Sequence, residues 1–206
     1  MMISDHGFLR LLYHNFFKID DNIYRCNMPT PQRIRKYKNV LGIKTIINCR
    51  GTKRDGGWLL ENEACEKYGI ELINLNARSR AAPDKELIMK ANLVFKKIKY
   101  PALIHCKSGA DRAGIVSALY KLLYCKESPK NAKKQLSLKF LHIKHAKTGI
   151  LDKFIEEYEN FLNKNKNKNF HFLDWVQTIY KPEKLEHDFR SNSFINNFLF
   201  KILRRE

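Results

Sequence analysis

Short apolar runs alternate with amphipathic stretches along most of the chain. Residues 23–25 open a strand, and 31–39 carry helical spacing. The β-branched run 45–48 is short enough for a buried strand. Residues 58–68 form an amphipathic helix closed by Gly69, and 70–75 the next strand. Over 84–98 one helical face holds Leu87, Ala91, Val94, Phe95 and Ile98. The apolar stretch Ala102-Leu103-Ile104 predicts a strand ending at Cys106, and helices follow at about 112–125, 129–140 and 148–162. This alternation predicts an α/β fold, a central and mostly parallel sheet flanked by helices on both faces.

Residues 1–162 read as one catalytic-size domain with an apolar N-terminal arm around Phe8–Phe17. The Asn/Lys run 163–169 reads as a mobile linker, and 170–206 as a helical appendage. In that appendage Phe172, Leu173, Trp175, Val176 and Ile179 supply a face that docks, and 193–205 mix Phe and Ile with Lys201, Arg204 and Arg205. Such a cationic end can lie on an anionic membrane, although packing against protein is the commoner fate of an apolar helix face. No run of eighteen apolar residues predicts a membrane span, and the N-terminus lacks the pattern of a signal peptide.

Charge changes the picture of partners. With 39 Lys and Arg against 21 Asp and Glu, the net charge of +18 favours acidic partners: a phosphorylated substrate, an anionic membrane surface or nucleic acid. Abundant Lys, Asn and Ile together temper that reading, as an AT-rich genome would produce them. Without zinc-finger spacing or an aromatic RNA-binding box, nucleic acid is set aside. The five cysteines are odd in number and scattered, which predicts a reducing, cytoplasmic setting rather than a disulfide framework.

The strongest chemistry lies in His105-Cys106-Lys107-Ser108-Gly109-Ala110-Asp111-Arg112-Ala113-Gly114. An apolar strand precedes this loop of small residues and an apolar helix follows it. The inward amides of such a loop and the dipole of the helix make an anion site, which favours the thiolate of a cysteine at its base. Cys106 is the candidate nucleophile, forming a phosphocysteine that water hydrolyses. The amides of Lys107, Ser108, Gly109, Ala110, Asp111 and Arg112, with the Arg112 guanidinium, can cradle three phosphoryl oxygens. No metal or cofactor is called for. His105 is expected to fix the loop by hydrogen bonding rather than act as a base.

This string resembles the His-Cys-x-x-Gly-x-x-Arg signature of the cysteine-dependent protein tyrosine phosphatases, and the chain is similar to their dual-specificity branch. Asn22-Ile23-Tyr24-Arg25-Cys26-Asn27-Met28-Pro29 resembles the early Tyr-Arg-Ser-x-x-Pro strand of that branch. Gly42-Ile43-Lys44-Thr45-Ile46-Ile47-Asn48-Cys49-Arg50 resembles the Gly-Ile-x-x-Val-Ile-Asn-Leu-Arg strand of its compact atypical and bacterial members. The likeness spans about residues 5–160 in the right order. It implies a phosphatase acting on phosphotyrosine, phosphoserine or phosphothreonine proteins, or on phosphoinositides and inositol phosphates.

Two departures stand out. The family usually has Ser or Thr after the loop arginine, where this chain has Ala113. It also usually carries an acidic Asp on a separate mobile loop some thirty residues before the cysteine. Here that region, 75–83, has no carboxylate. Asp111 inside the loop, Asp84 and Asp55 are the three candidates for the acid. Asp111 is within reach of a leaving group by position alone, and myotubularin-type lipid phosphatases have an Asp regarded as the acid at the equivalent place. Asp111 could equally pair with Arg112 or cap the helix, and Asp84 reads as a helix start. Lys107, Arg78, Arg80, Lys53 and Arg54 would together make a pocket for polyanions, while each alone is ordinary surface charge. A lysine after the cysteine resembles the phosphatase-and-tensin type, which acts on lipids. Cys49 reads as a core cysteine, with a reversible disulfide to Cys106 as the alternative. His142 and Lys144 read as surface residues, with contact to substrate as the alternative, and Thr148 as a helix cap. A phosphate-binding module without turnover and a membrane-associated adaptor are the competing readings.

Overall fold

The structure, a computed structural model, describes residues 14–52, 55–165 and 170–190. Most of the N-terminal arm, Lys53, Arg54, part of the Asn/Lys run and the amphipathic end at 193–205 lie outside the described residues.

Five strands form one sheet in the order β1-β2-β5-β3-β4. Strands β2 (Ile23–Asn27), β3 (Thr45–Asn48), β4 (Glu71–Asn74) and β5 (Ala102–Cys106) are parallel, and β1 (Phe17–Lys18) joins the edge antiparallel. Every residue of β3 and β5 is buried, as interior parallel strands require. Register aligns Asn27 with Cys106 and Asn48 with His105, so the loop after β5 leaves the carboxyl edge between two strands. Ligands of open α/β sheets bind at that edge.

The period of two assigns the strand side chains to the two faces. Cys26, Ile46 and Leu103 pack on helices α1 (Pro31–Leu41) and α2 (Gly56–Lys67), where Ile34, Tyr37, Ala64 and Cys65 complete a core. Ile23, Ile47 and Ile104 face the larger core, built on α3 (Lys85–Lys97), α4 (Asp111–Leu123) and α6 (Ile150–Lys164). Helix α1 starts at Thr30, whose hydroxyl accepts from the Arg33 amide, with Pro31 at the first turn. It stops at Gly42, whose φ of +66° suits a residue without Cβ and whose amide returns to the carbonyls of Tyr37 and Lys38.

The expected helix over 129–140 is not continuous. Helix α5 (Pro129–Lys133) is followed by a turn and a separate 3-10 turn, Leu138–Phe140. Both the carbonyl and the side-chain oxygen of Gln135 accept from Arg25, and Ser137 is extended. A tertiary contact thus overrides the local spacing.

The C-terminal segment docks on the main core. Helix α7 (Phe172–Thr178) and the helix at 182–190 (α8) contribute Phe172, Trp175, Val176 and Leu185, with Tyr180 between them. Their aromatic rings pack on Phe154 and Tyr158 of α6, with centroids 5.0 Å apart for Phe154–Tyr180 and 5.1 Å for Tyr158–Trp175. The Tyr180 hydroxyl donates to the Pro83 carbonyl (2.8 Å), the Ala82 amide donates to Glu186 (3.1 Å), and Lys85 donates to the Gln177 carbonyl (2.9 Å). No helix among the described residues is long and apolar enough to cross a membrane.

Candidate active site

Four consecutive carbonyls of the loop after β5 are held from behind. The Lys107 carbonyl accepts from the Met28 amide (3.4 Å) and that of Ser108 from Asn15 Nδ2 (2.9 Å). The carbonyls of Gly109 (2.7 Å) and Ala110 (3.0 Å) both accept from Arg25 Nη2. With these oxygens tied to the protein, the Gly109 amide donates to the Sγ of Cys106 (3.2 Å). Cys106 is buried at the base, and α4 begins at Asp111 with no side chain capping its first turn. The open amides of that turn and the dipole behind them favour an anion over the cysteine.

Gly109 makes the turn possible. Its φ is +77°, and a Cβ there would stand 2.7 Å from both the Asn27 nitrogen and the Cys26 carbonyl carbon. Those are backbone atoms of β2 and cannot step aside. Gly109→Ala is expected to destabilise the fold by about 1–3 kcal/mol through overpacking alone. It should also weaken tungstate binding at temperatures where the variant is still folded, since it deforms the loop itself; unchanged tungstate affinity would contradict this account.

Arg25 is the residue the sequence left as part of a strand motif. It is fully buried, stacks 4.0 Å over the Phe140 ring, and braces the loop and the Gln135 turn with one guanidinium. The available signal was a charged residue inside an otherwise apolar strand, which is rare unless the charge is engaged. Asn15 does a similar task, donating also to the Phe140 carbonyl (3.2 Å).

His105 does not hydrogen-bond to the loop as expected. Its Nε2 lies 2.5 Å from Oε1 of Glu61 on α2, without hydrogen-bond alignment, and both side chains are fully buried. It ties β5 to the helix behind it, since its side chain alternates away from that of Cys106.

Of the three candidate acids, two are helix caps. Asp84 accepts from the Leu87 amide (2.7 Å) to start α3 and pairs with Arg78 (3.5 Å). Asp55 accepts from the Trp58 amide (2.9 Å) to start α2 and pairs with Arg50 (2.8 Å). Partial burial works against its charge, but the Trp58 amide and the Arg50 guanidinium hold Asp55 below the usual carboxylate range. Asp111, partly exposed on the loop, has a different environment. Its Oδ1 accepts from Nδ1 of His142 (2.8 Å), whose Nε2 donates to Asp152 (2.7 Å).

His142 is therefore no surface residue: it is 1% exposed, buried with Asp152. Burial opposes its charge, but the hydrogen bonds it donates to Asp111 and Asp152 prevail and raise it to about 9, so it carries two N–H donors at neutral pH. The sequence hid it in an irregular segment without periodicity. Leu141, in the left-handed region at φ 62°, turns the chain so that Phe140 and His142 are buried and Leu141 and Ile143 exposed. Thr148 does not cap α6; its hydroxyl donates to the Ile143 carbonyl (3.0 Å). Lys144 does lie at the surface, paired with Glu156 (3.0 Å).

Arg78 and Arg80 are exposed on the segment after β4. Lys107 is half-buried and Ser108 exposed, its hydroxyl accepting from the Ala110 amide (3.4 Å). Ala113 is fully buried, and the hydroxyl of Ser117, one turn on, is committed to its carbonyl (2.6 Å). Cys49 is a free, buried thiol; burial first, then Cys106, push it well above its ordinary value against the pull of Arg112 and Arg25.

Residues 23–152 match the family model described as DSP-PTPase phosphatase fused to NAD+ kinase. No curated protein matches the chain. Solved structures share the fold at low identity. TpbA from P. aeruginosa is 16% identical, with a TM-score of 0.54 over 70% of this chain and 84% of its own. The core catalytic domain of the PP-IP phosphatase SIW14 from S. cerevisiae is 19% identical, with a TM-score of 0.54 over 75% of this chain and 94% of its own. PTPMT1 is 18% identical, with a TM-score of 0.53 over 73% of this chain and 99% of its own.

Proposed function

The chain belongs to this DSP-PTPase phosphatase family, and on that premise we propose that it hydrolyses phosphate monoesters through a phosphocysteine on Cys106. The observation that carries the reading is the fastening of the four loop carbonyls beside the buried Cys106, whose Sγ accepts from the Gly109 amide. The Cys106 thiolate attacks phosphorus, and the Arg112 guanidinium and the amides stabilise the equatorial oxygens as charge spreads over them. Asp111 gives its proton to the departing oxygen, then takes one from the water that cleaves the S–P bond. Asp84 and Asp55 are committed to helix starts, which supports Asp111 in this role.

The substrate is a phosphorylated protein or a polyanionic phosphorylated small molecule or lipid. Solved structures of this fold include TpbA in complex with phosphotyrosine and a PP-IP phosphatase. Lys107, Arg78 and Arg80 supply positive charge for substrates carrying more than one phosphate. Replacing Arg78 and Arg80 together by alanine is expected to raise KM for inositol polyphosphates several-fold and leave that for a simple aryl phosphate unchanged; a parent-like KM for the polyphosphates would dismiss the polyanion pocket.

The deciding experiment is phosphate release from a panel of phosphopeptides, inositol phosphates and phosphoinositides, with EDTA present and with mass-spectrometric trapping of phosphorylated Cys106. Ala113, lacking the hydroxyl that the family uses to ease thiolate departure, favours a second reading: a phosphate-binding module that does not turn over. Tungstate binding without release from any member of the panel would establish that reading instead.

A further inference from the structure

A chain of three side chains, two of them buried, backs the loop: Asp111 at the start of α4, His142 in the turn before α6, and Asp152 in the first turn of α6. We propose that His142, fixed by Asp152, is the positioning residue for the Asp111 carboxyl, holding one oxygen so that the other is presented to substrate. The inference rests on the reading of Asp111 as the acid.

The geometry assigns the parts. His142 donates from both nitrogens, 2.8 Å to Asp111 Oδ1 and 2.7 Å to Asp152 Oδ2. Asp152 is 2% exposed, so it holds the ring without access to substrate. Asp111 is the exposed end of the chain, with a quarter of its side chain open. A carboxyl on the first residue of a helix would ordinarily sample several rotamers, or fold back on the amides of its own first turn. The hydrogen bond from His142 removes that freedom and leaves those amides to the phosphate. No charged group besides these two carboxylates makes a hydrogen bond or ion pair with the His142 ring among the described contacts.

The reaction balances with His142 as a spectator that keeps its protons. In the first step the Cys106 sulfur bonds phosphorus as the P–O ester bond breaks. The bond pair goes to the leaving oxygen, which takes the proton from Asp111 Oδ2. The carboxylate thus formed is stabilised by the imidazolium on Oδ1. In the second step water bonds phosphorus, its proton goes to Asp111, and the S–P bond pair returns to sulfur.

The test is a linear comparison of kcat/KM across aryl and alkyl phosphates with leaving groups of increasing basicity. Asp111→Asn should cost about 10²–10⁴-fold on the most basic leaving groups and little on p-nitrophenyl phosphate, the range for loss of a general acid. The double variant His142→Leu, Asp152→Leu, which leaves no buried carboxylate unpaired, should steepen the same dependence by about tenfold at its basic end, with KM unchanged. His142→Asn, whose amide can still donate to Asp111, should recover most of that loss. In the Asp111→Asn background the double variant should add nothing. Thermal melting and tungstate binding check that each variant is folded. An equal loss on every leaving group, or a full additional loss in the Asp111→Asn background, would overturn the positioning role. If Asp111→Asn itself shows no dependence on leaving group, the acid is elsewhere and the underlying reading fails first.

Discussion

Cys106→Ser should eliminate turnover to at least about 10³-fold below the parent, the scale on which loss of a nucleophile is felt, while tungstate or phosphate still binds. Serine keeps the shape of the side chain and the contact with the Gly109 amide, so the hollow survives. What it loses is the ionised nucleophile, because a hydroxyl at that site has no base beside it: His105 is turned away toward Glu61. Phosphate release assayed in EDTA, with tungstate titration by calorimetry on the same samples, separates the two properties. Retained turnover in the serine variant would remove phosphocysteine from the mechanism. Loss of tungstate binding would mean instead that the cysteine is needed to build the loop.

Arg25→Met should produce the second-largest effect, although Arg25 lies behind the loop. Methionine fills much of the space and can meet the Phe140 ring, but it donates nothing. The Gly109 and Gln135 carbonyls lose donors at 2.7 Å each; the Ala110 carbonyl keeps the Gly114 amide at 2.8 Å. At about 1–3 kcal/mol for the buried Gly109 acceptor left unmade, and less for the part-buried Gln135 carbonyl, the fold loses about 1–4 kcal/mol. The diagnostic part is function at a temperature where the variant is still folded. Tungstate affinity should fall well beyond the parent's range, because the carbonyl that oriented Gly109 is no longer tied back. Lysine should not rescue it, since one ammonium cannot span three carbonyls in a plane. Parent-like tungstate affinity in folded Arg25→Met would show that the loop holds its own shape.

The parts of this molecule that were legible in its sequence are the ones governed by local rules. The buried strands at 45–48 and 102–106, the helix start at Asp84 and the turn at Gly69 depend on neighbours a few residues away, and the Cys106–Arg112 string marks its own loop although distant residues brace it. The unforeseen parts are long-range. Arg25 meets Gln135 across 110 residues and the turn it creates breaks a helix that local spacing extends to 140. His142 meets Asp111 across 31 residues from a segment with no repeating pattern, so nothing local separates it from a solvated histidine. His105 went astray for a simpler reason: alternation along β5 sends it to the opposite face from Cys106, a consequence of the strand that the motif alone does not express.

The anchoring of 82–85 by the C-terminal helices bears on how this chain can work. Tyr180, Glu186 and the Gln177 carbonyl fasten the stretch at its backbone and at Lys85. A proton donor carried on a swinging flap must be free to travel; this stretch is bolted down and carries no acid short of the capping Asp84. Chemistry built wholly into one stationary cradle would sacrifice the gating that a moving part provides, and would leave the rate to bond breaking rather than to closure.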